Sequence, residues 1–573
     1  MKTQSTLKTV IVAVFAINLM MTPRMIYSQS TLDCKTCHNE IFLAWLAGSH
    51  SHTQKDIALE LAAERIGQSA DTVINGSDAE NCIACHAPLA ITENGGMTEV
   101  QALEHFFTTT GGVFTSGTTI ADSANWPHNY CTTCHNVPGN HPTGLPEFGY
   151  FNSSTATYDS IGKVASLCGQ CHGNLQFEGT DHLTYNAWNM SKHALTQDDV
   201  SSELAEERAG ESPDTVVNGS DPENCIACHA PTAVLANGGM SESEALNYFF
   251  STESGVFTAN TTSLNGDQWP DVSCISCHNP HEPNLVSYFN SSTKQYEVMD
   301  STAKLCGQCH GNLRFPGTDH LSYNIAKGVG AIGVTYKETM PGITCTDCHM
   351  AAGPEDTKAD MYHGHSWSVF VTEDDGSETV ACQNCHSSMD AAVSRTQIQA
   401  YKDEAAASLS SAEQEMSTAD SLLNLSGDAE LLAQLDSAKT NLSLVEGDES
   451  GGFHNHKYQM DLLADVLQKL DHIISVATGI HNSSLPSGFE LSQNFPNPFI
   501  YYTDIKYAIP YNSYVHMNIY DNTGRLVKTV VNKYQNPGVY KVNIDMTAFP
   551  AGNYYYVLKA GNTKISKSMI ILR

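Results

Sequence analysis

Every cysteine of this 573-residue chain lies in a Cys-x-x-Cys-His sequence, and nine such sequences account for all 18 cysteines. The thiols are those of Cys34, Cys37, Cys82, Cys85, Cys131, Cys134, Cys168, Cys171, Cys225, Cys228, Cys274, Cys277, Cys306, Cys309, Cys345, Cys348, Cys382 and Cys385. The histidines that follow them are His38, His86, His135, His172, His229, His278, His310, His349 and His386. Two thiols at this spacing can bind the vinyl groups of one haem, and the adjacent imidazole reaches its iron. Disulfides and zinc sites also use paired cysteines, but neither requires a histidine after each pair. The pattern therefore predicts nine covalent haem c groups.

The nine motifs are closely spaced, since they share residues 34–386, about 39 residues for each motif. That is too little chain to give each haem a domain of its own. We therefore expect haems that pack against one another, within a mainly α-helical region with extensive loops. This predicted cytochrome region covers residues 29–392.

Residues 1–28 have the composition of a secretory signal peptide. Lys2 and Lys8 precede an apolar run of 13 residues, and a polar stretch follows as far as Ser28. The alternative is a membrane anchor, but 13 residues are fewer than the roughly 20 that cross a bilayer. We therefore predict export by way of the periplasm, to the cell surface or the medium, and a mature chain without a transmembrane segment.

The net charge of the chain is −33, from 29 Lys and Arg against 62 Asp and Glu. Nucleic-acid binding needs clustered basic residues, so the balance argues against a nucleic-acid partner.

The cytochrome region contains an internal repeat, in which residues 45–185 match residues 188–323. The sequence NGSDAENCIACHAP at 75–88 corresponds to NGSDPENCIACHAP at 218–231. Each copy contains three of the nine motifs, and Trp45 corresponds to Trp188.

Histidines that recur in both copies are the candidates for the second axial ligand of each iron. Three pairs recur: His50 with His193, His141 with His281, and His182 with His320. The alternative for any single histidine is an ordinary surface residue. The unduplicated histidines are weaker candidates, and they are His52, His105 and His128.

Three motifs, those at Cys34, Cys345 and Cys382, lie outside the repeat. The histidines available to them are His363, His365, His454, His456, His472 and His481. These numbers neither require nor exclude an iron with an open coordination position. Ligation by two histidines without methionine favours low reduction potentials.

Residues 393–481 contain no cysteine and are predicted to be helical. Helical periodicity covers 395–420, 429–446 and His456 to Ala477, and we expect these helices to pack on the last haems.

Four sequences in this part of the chain carry a family resemblance: GITCTDCHM (342–350), HGHSW (363–367), CQNCH (382–386) and GGFHNHKYQMDLL (451–463). Their order resembles the C-terminal part of the pentahaem nitrite reductase and hydroxylamine oxidoreductase superfamily. The repeated part resembles tetrahaem cytochromes c. The resemblance implies that His365 and His454 are distal ligands. The chain departs from the ammonia-forming nitrite reductases, because it has no Cys-x-x-Cys-Lys motif.

Residues 482–573 alternate apolar and polar residues in short runs, which is typical of an all-β sandwich of about seven strands. The sequences NFPNPF (494–499), YDNTGRLVKTV (520–530) and KSMIILR (567–573) resemble the type A C-terminal sorting domain of the type IX secretion system. The resemblance implies the secretion machinery as a partner. The alternative is a carbohydrate-binding or protein-binding sandwich.

The sequence therefore predicts an electron carrier that works by haem-to-haem transfer, in extracellular or cell-surface electron transfer, and assigns it no catalytic residue. Its expected partners are other cytochromes or an outer-membrane electron conduit. The alternative is an oxidoreductase of nitrite, hydroxylamine or a sulfur oxyanion, which needs one haem with an open distal site. A structural or adhesive surface protein is the third class, and nine haems argue against it.

Overall fold

The computed structural model describes residues 31–573, except 78, 80, 137–146, 178–179, 181, 221, 223, 283–285, 316–317, 337, 339, 355–356, 424–427, 479–487, 512, 562 and 573. The predicted signal peptide and the candidate ligands His141 and His481 lie outside the described residues. The chain divides into two compact units. The first is Met1–Asp300 with His349–Ser368, and the second is Ser301–Cys348 with Val369–Arg573.

Helices occupy the chain as far as residue 478, and most of them are one to three turns long. In chain order they are α1 (Thr31–Cys37), α2 (Asn39–Leu46), α3 (Thr53–Ala63), α4 (Ala70–Asn75), α5 (Cys82–His86), α6 (Glu99–Phe106), α7 (Cys131–Cys134), α8 (Val164–Cys168), α9 (Thr184–Asn189), α10 (Thr196–Glu206), α11 (Pro213–Asn218), α12 (Cys225–His229), α13 (Glu242–Phe249), α14 (Cys274–Cys277), α15 (Thr302–Cys306), α16 (Ser322–Lys327), α17 (Cys345–His349), α18 (Lys358–Met361), α19 (Ala391–Leu423), α20 (Ala429–Glu446) and α21 (His456–Thr478).

Strands form small hairpins in the helical region and two sheets near the C-terminus. In chain order they are β1 (His135–Asn136), β2 (Glu147–Asn152), β3 (Thr157–Ser160), β4 (Ser287–Asn290), β5 (Gln295–Val298), β6 (Phe370–Thr372), β7 (Glu378–Val380), β8 (Glu490–Leu491), β9 (Tyr502–Ile509), β10 (Ser513–Tyr520), β11 (Leu526–Gln535), β12 (Gly538–Asp545), β13 (Gly552–Ala560) and β14 (Thr563–Ile571).

The first unit contains two separate hydrophobic cores, one for each copy of the sequence repeat. Each core is built around a fully buried tryptophan whose indole donates to a threonine at the start of a helix. Trp126 donates to Thr53 Oγ1 of α3 and Trp269 donates to Thr196 Oγ1 of α10, both at 3.1 Å. Residues of the motif helices α5 and α12 belong to these cores, among them Ile83 in the first and Ile226 in the second.

The helices of the second unit form a three-helix bundle of α19, α20 and α21. Asp428 caps α20, and its side chain accepts from the backbone N–H groups of Glu430 and Leu431. One face of α21 is buried throughout, with Leu462, Val466 and Leu470 fully inaccessible to solvent. The three helices predicted from periodicity are therefore present, with α19 extending further toward the N-terminus.

The C-terminal region is a β-sandwich of seven strands, as predicted. Its sheets have the strand orders β11-β10-β13-β14 and β12-β9-β8, and every pair of neighbours is antiparallel. Within the second unit, α19 lies against β10 and β11. Glu404 of α19 is 3.1 Å from His516 Nε2, and Tyr534 of β11 packs on the helical core. Among the described residues, no helix is long and apolar enough to cross a membrane.

Candidate haem-binding sites

The cysteine motifs adopt a short helical turn, which brings the two thiols of each motif to one side of the helix. A spacing of three residues on a helix places side chains on the same face. Asn81 fixes the start of α5, since its side chain accepts from Ala84 N, and Asn224 does the same for α12. All 18 thiols are described, and none of them is in a disulfide.

Three pairs of histidines have a ring separation that would allow both members to bind one iron. The ring centroids are 6.1 Å apart for His50 and His172, 6.1 Å for His135 and His281, and 6.0 Å for His278 and His365. Two imidazoles on opposite sides of one iron, each held by a bond of about 2 Å, have centroids about 6 Å apart. Each pair combines a motif histidine with a histidine from outside the motifs.

Another predicted ligand of the first unit, His182, lies close to the motif histidine His86. Burial, and then the charge of the nearby His182, lower the pKa of His86 to about 4. A neutral imidazole is the form that binds a metal. His182 Nδ1 is 3.3 Å from His363 Nε2, with the two rings stacked at a centroid distance of 5.4 Å.

Residues 363–367, with the sequence HGHSW, contact several of these histidines within the first unit. His365 Nδ1 lies 2.9 Å from the backbone oxygen of His363, so the opposite nitrogen, Nε2, remains for a metal. Trp367 packs edge-on against His193, with centroids 4.5 Å apart, and its carbonyl is 3.5 Å from His349 Nδ1. His363 and Trp367 have positive φ angles, 46° and 55°, which are unusual for residues other than glycine.

In the second unit, two successive carboxylates hold two predicted ligands. Asp448 Oδ1 is 2.6 Å from His454 Nδ1, and Glu449 Oε1 is 2.7 Å from His320 Nδ1. Burial lowers the pKa of His454, but the hydrogen bond and charge of Asp448 outweigh it and raise the pKa overall. Neither carboxylate is marked by a sequence motif, and sequence reasoning missed both.

Two other histidines are held in ways that do not favour ligation. His456 has Nδ1 3.0 Å from Gly452 O and Nε2 3.4 Å from Glu404, so both nitrogens have neighbours. His105 Nε2 is 2.9 Å from the Asn94 side chain.

Thiols of different motifs lie side by side in the first unit. Hydrogen bonds join Cys34 to Cys131, Cys85 to Cys171, and Cys168 to Cys274. Cys134 is close enough to Cys168 and Cys171 for its charge to raise the pKa of both. The motif at Cys168 therefore adjoins the motifs at Cys82, Cys131 and Cys274.

The second unit has the same kind of contact. Cys306 and Cys345 form a hydrogen bond, and Cys348 lies within electrostatic reach of Cys382 and Cys385. The motifs at Cys306, Cys345 and Cys382 thus form a series.

The residues around the motifs fit haem c in their chemistry as well as their spacing. Large apolar side chains that are usually buried are exposed within about eight residues of a motif histidine: Ile41, Leu43, Leu46, Leu175, Leu235 and Leu313. An apolar macrocycle bound to the thiols would cover such side chains.

Family comparisons agree with this chemistry. Residues 33–106 and 167–279 match the family of cytochrome c554 and c-prime, and residues 333–478 match the cytochrome c552 family. The parts of the chain that these two models match belong to the multihaem cytochromes c. Such cytochromes carry covalent haem c. Residues 493–572 of this cytochrome match the secretion system C-terminal sorting domain, which makes the chain a secreted or cell-surface protein and a client of the type IX secretion machinery.

Two cytochromes of known structure align with parts of this chain. The outer cell wall cytochrome OcwA aligns over 76% of this chain and 98% of its own, with 18% identity and a TM-score of 0.39. The cytochrome c nitrite reductase NrfA from Desulfovibrio desulfuricans aligns over 53% of this chain and 78% of its own, with 17% identity and a TM-score of 0.29. No curated protein sequence matches the cytochrome.

Proposed function

We propose that this cytochrome binds nine haems and carries electrons by haem-to-haem transfer outside the cytoplasm, at the cell surface or beyond it. Bound haem supplies one-electron Fe(III)/Fe(II) chemistry. The observation that carries the proposal is the contact between thiols of different motifs, because it brings the attachment points of neighbouring haems together. A carrier needs such a series of attachment points and no iron with an open position.

The thiol contacts suggest an order for the attachment points. In the first unit the order is Cys34, Cys131, Cys168 and Cys274, naming each motif by its first cysteine, and the motif at Cys82 branches from Cys168. In the second unit the order is Cys306, Cys345 and Cys382. The cysteines fix the positions, and the α-helical cores hold the motif helices in place.

We assign the nine motif histidines as proximal ligands. The proposed distal ligands of eight haems are His50, His193, His141, His281, His182, His320, His365 and His454, and the ninth haem needs one further histidine. For three of these distal ligands a motif histidine lies close by. His50 would share an iron with His172, His281 with His135, and His365 with His278. Ligation by two histidines favours low potentials.

The charge distribution bears on the partner. Residues 482–573 contain nine basic and four acidic residues, a net +5, so the rest of the chain carries −38. An acidic surface attracts basic proteins or metal-bearing surfaces, and salt weakens the attraction. We therefore propose another cytochrome, an outer-membrane conduit or an external metal acceptor as the partner.

The alternative function, reduction or oxidation of a nitrogen or sulfur oxyanion, is supported by the sequence resemblance of residues 342–463 to enzymes. It would require an open position on one iron. The test is coulometric titration of the purified full chain, followed by assays with nitrite, hydroxylamine and tetrathionate. Nine reversible one-electron steps and no turnover support the carrier. Fewer than nine electrons, or turnover of any of the three, contradicts it.

A further inference from the structure

Asp448 is a buried carboxylate in the turn between α20 and α21. Its side chain is inaccessible to solvent. Oδ1 accepts from His454 Nδ1 at 2.6 Å, Oδ2 accepts from Gln459 Nε2 at 2.6 Å, and the Ser450 hydroxyl also donates to Oδ2. Burying a charge is costly unless it is hydrogen-bonded, and these three donors offset the cost.

The turn holds His454 from two sides. Gln459 donates from the same amide nitrogen to His454 O at 2.7 Å, and the Ser450 hydroxyl accepts from His454 N at 2.8 Å. The backbone and the ring are therefore fixed together. With its Nδ1–H donating to Asp448, the imidazole keeps its lone pair on Nε2, which is the nitrogen that can bind a metal.

The motif cysteine Cys345 lies within electrostatic reach of His454. The imidazole is therefore hydrogen-bonded to a buried carboxylate and close to a haem attachment point. A carboxylate on the far nitrogen makes an imidazole more basic and a stronger electron donor to its metal.

We propose that Asp448 is a positioning residue that holds His454 as an Nε2 ligand and lowers the reduction potential of the iron to which His454 binds. The inference rests on the proposed function, since it assumes that His454 is a ligand. Glu449, the next residue, makes the same contact with His320, but its side chain is 55% exposed. Water screens an exposed carboxylate, so its effect on the potential is smaller.

The experiment is a spectroscopic redox titration of the purified, haem-loaded full chain, with low-temperature EPR of the oxidised form. Asp448→Asn keeps the shape of the side chain and removes its charge. We expect one of the titration steps to move to a more positive potential by about tenfold in its equilibrium constant, which is 59 mV for one electron. The other steps stay in place.

Two further variants keep the test decisive. Asp461→Asn removes another buried carboxylate of α21, one paired with Lys457 at 2.6 Å, and we expect no step to move. Asp448→Glu keeps a carboxylate at the turn, and we expect a wild-type titration from it even if Asp448→Asn fails to assemble.

Three results would overturn the inference: an unchanged titration for Asp448→Asn, an equal shift for Asp461→Asn, or a shift for Asp448→Glu as large as that for Asp448→Asn. Failure of the proposed carrier function gives a different result, namely substrate turnover or fewer than nine electrons in the titration of the wild-type protein.

Discussion

The imidazole rings of His50 and His172 have centroids 6.1 Å apart, although 122 positions separate the two residues in the chain. His50 lies just before α3, and His172 ends the motif that begins at Cys168. A separation of this size would allow both imidazoles to bind one iron. We infer that this pair ligates the haem of the Cys168 motif, which adjoins three other motifs.

Replacement of His50 by alanine tests this assignment. We expect His50→Ala to keep its full haem content, because the thioether bonds are covalent, and to gain a high-spin EPR signal equal to about one of the nine haems. His105→Ala is the control, since His105 Nε2 already contacts Asn94. An entirely low-spin spectrum for His50→Ala would show that His50 is not a ligand.

The position of the Cys168 motif predicts that it is needed for conduction through the first unit. Changing Cys168 and Cys171 to serine removes an attachment point that adjoins three others. We expect the conductance of a protein film to fall by about an order of magnitude or more, because the remaining points no longer form a series.

The matched control is the double change of Cys82 and Cys85 to serine. It removes one haem as well, but from the branch, so we expect conductance close to that of the wild type. Equal losses in the two variants would contradict the proposed order.

Glu415 of α19 predicts a pH dependence for the stability of the helical bundle. Burial, and then the charge of Asp471 on α21, raise its pKa from 4.5 to about 7. Since the folded state holds this proton more tightly than the unfolded state, the stabilisation is full below about pH 4.5 and is lost as the pH rises to about 7. We expect Glu415→Gln to increase the free energy of unfolding by about 1 to 2 kcal/mol at pH 7.5 and to change little at pH 4.5.

Hydrogen exchange of α19 in the full chain measures this effect. Asp436→Asn, at an exposed position of α20, is the control and should show no pH-dependent gain. The same protection for wild type and Glu415→Gln at both pH values would contradict the assignment.

Deletion of residues 482–573 separates export from haem binding. We expect the shortened chain to keep its nine haems, because all the haem motifs precede residue 482. We expect it to accumulate in the periplasm, because the sorting domain directs transport across the outer membrane. Cell fractionation with haem staining measures both. Appearance of the shortened chain at the cell surface would show that another segment directs secretion.

Much of the fold could be predicted from sequence because its signals are local. The Cys-x-x-Cys-His motifs are short, the α19 to α21 segment has helical periodicity, and alternation marks the sandwich strands. The repeat directed attention to His50, His182 and His281, since corresponding residues stand in both copies.

The pairing of ligands with motifs could not be predicted, because it depends on the tertiary packing of distant segments. His281 lies three residues after the motif at Cys274 in the sequence, yet it faces His135 from another motif. The hydrogen bond between Asp448 and His454 could not be predicted either, since an Asp six residues before a His matches neither helical nor strand periodicity. Such a side-chain hydrogen bond depends on the conformation of the turn between α20 and α21, which the sequence does not specify locally.

Low-temperature EPR of the oxidised full chain, with haem counted as pyridine haemochrome, tests the central claim most directly. The account predicts nine haems in each chain, all of them low-spin with two histidine ligands. A high-spin, five-coordinate signal that integrates to about one haem, together with turnover of nitrite, hydroxylamine or tetrathionate, would contradict it and point to an enzyme.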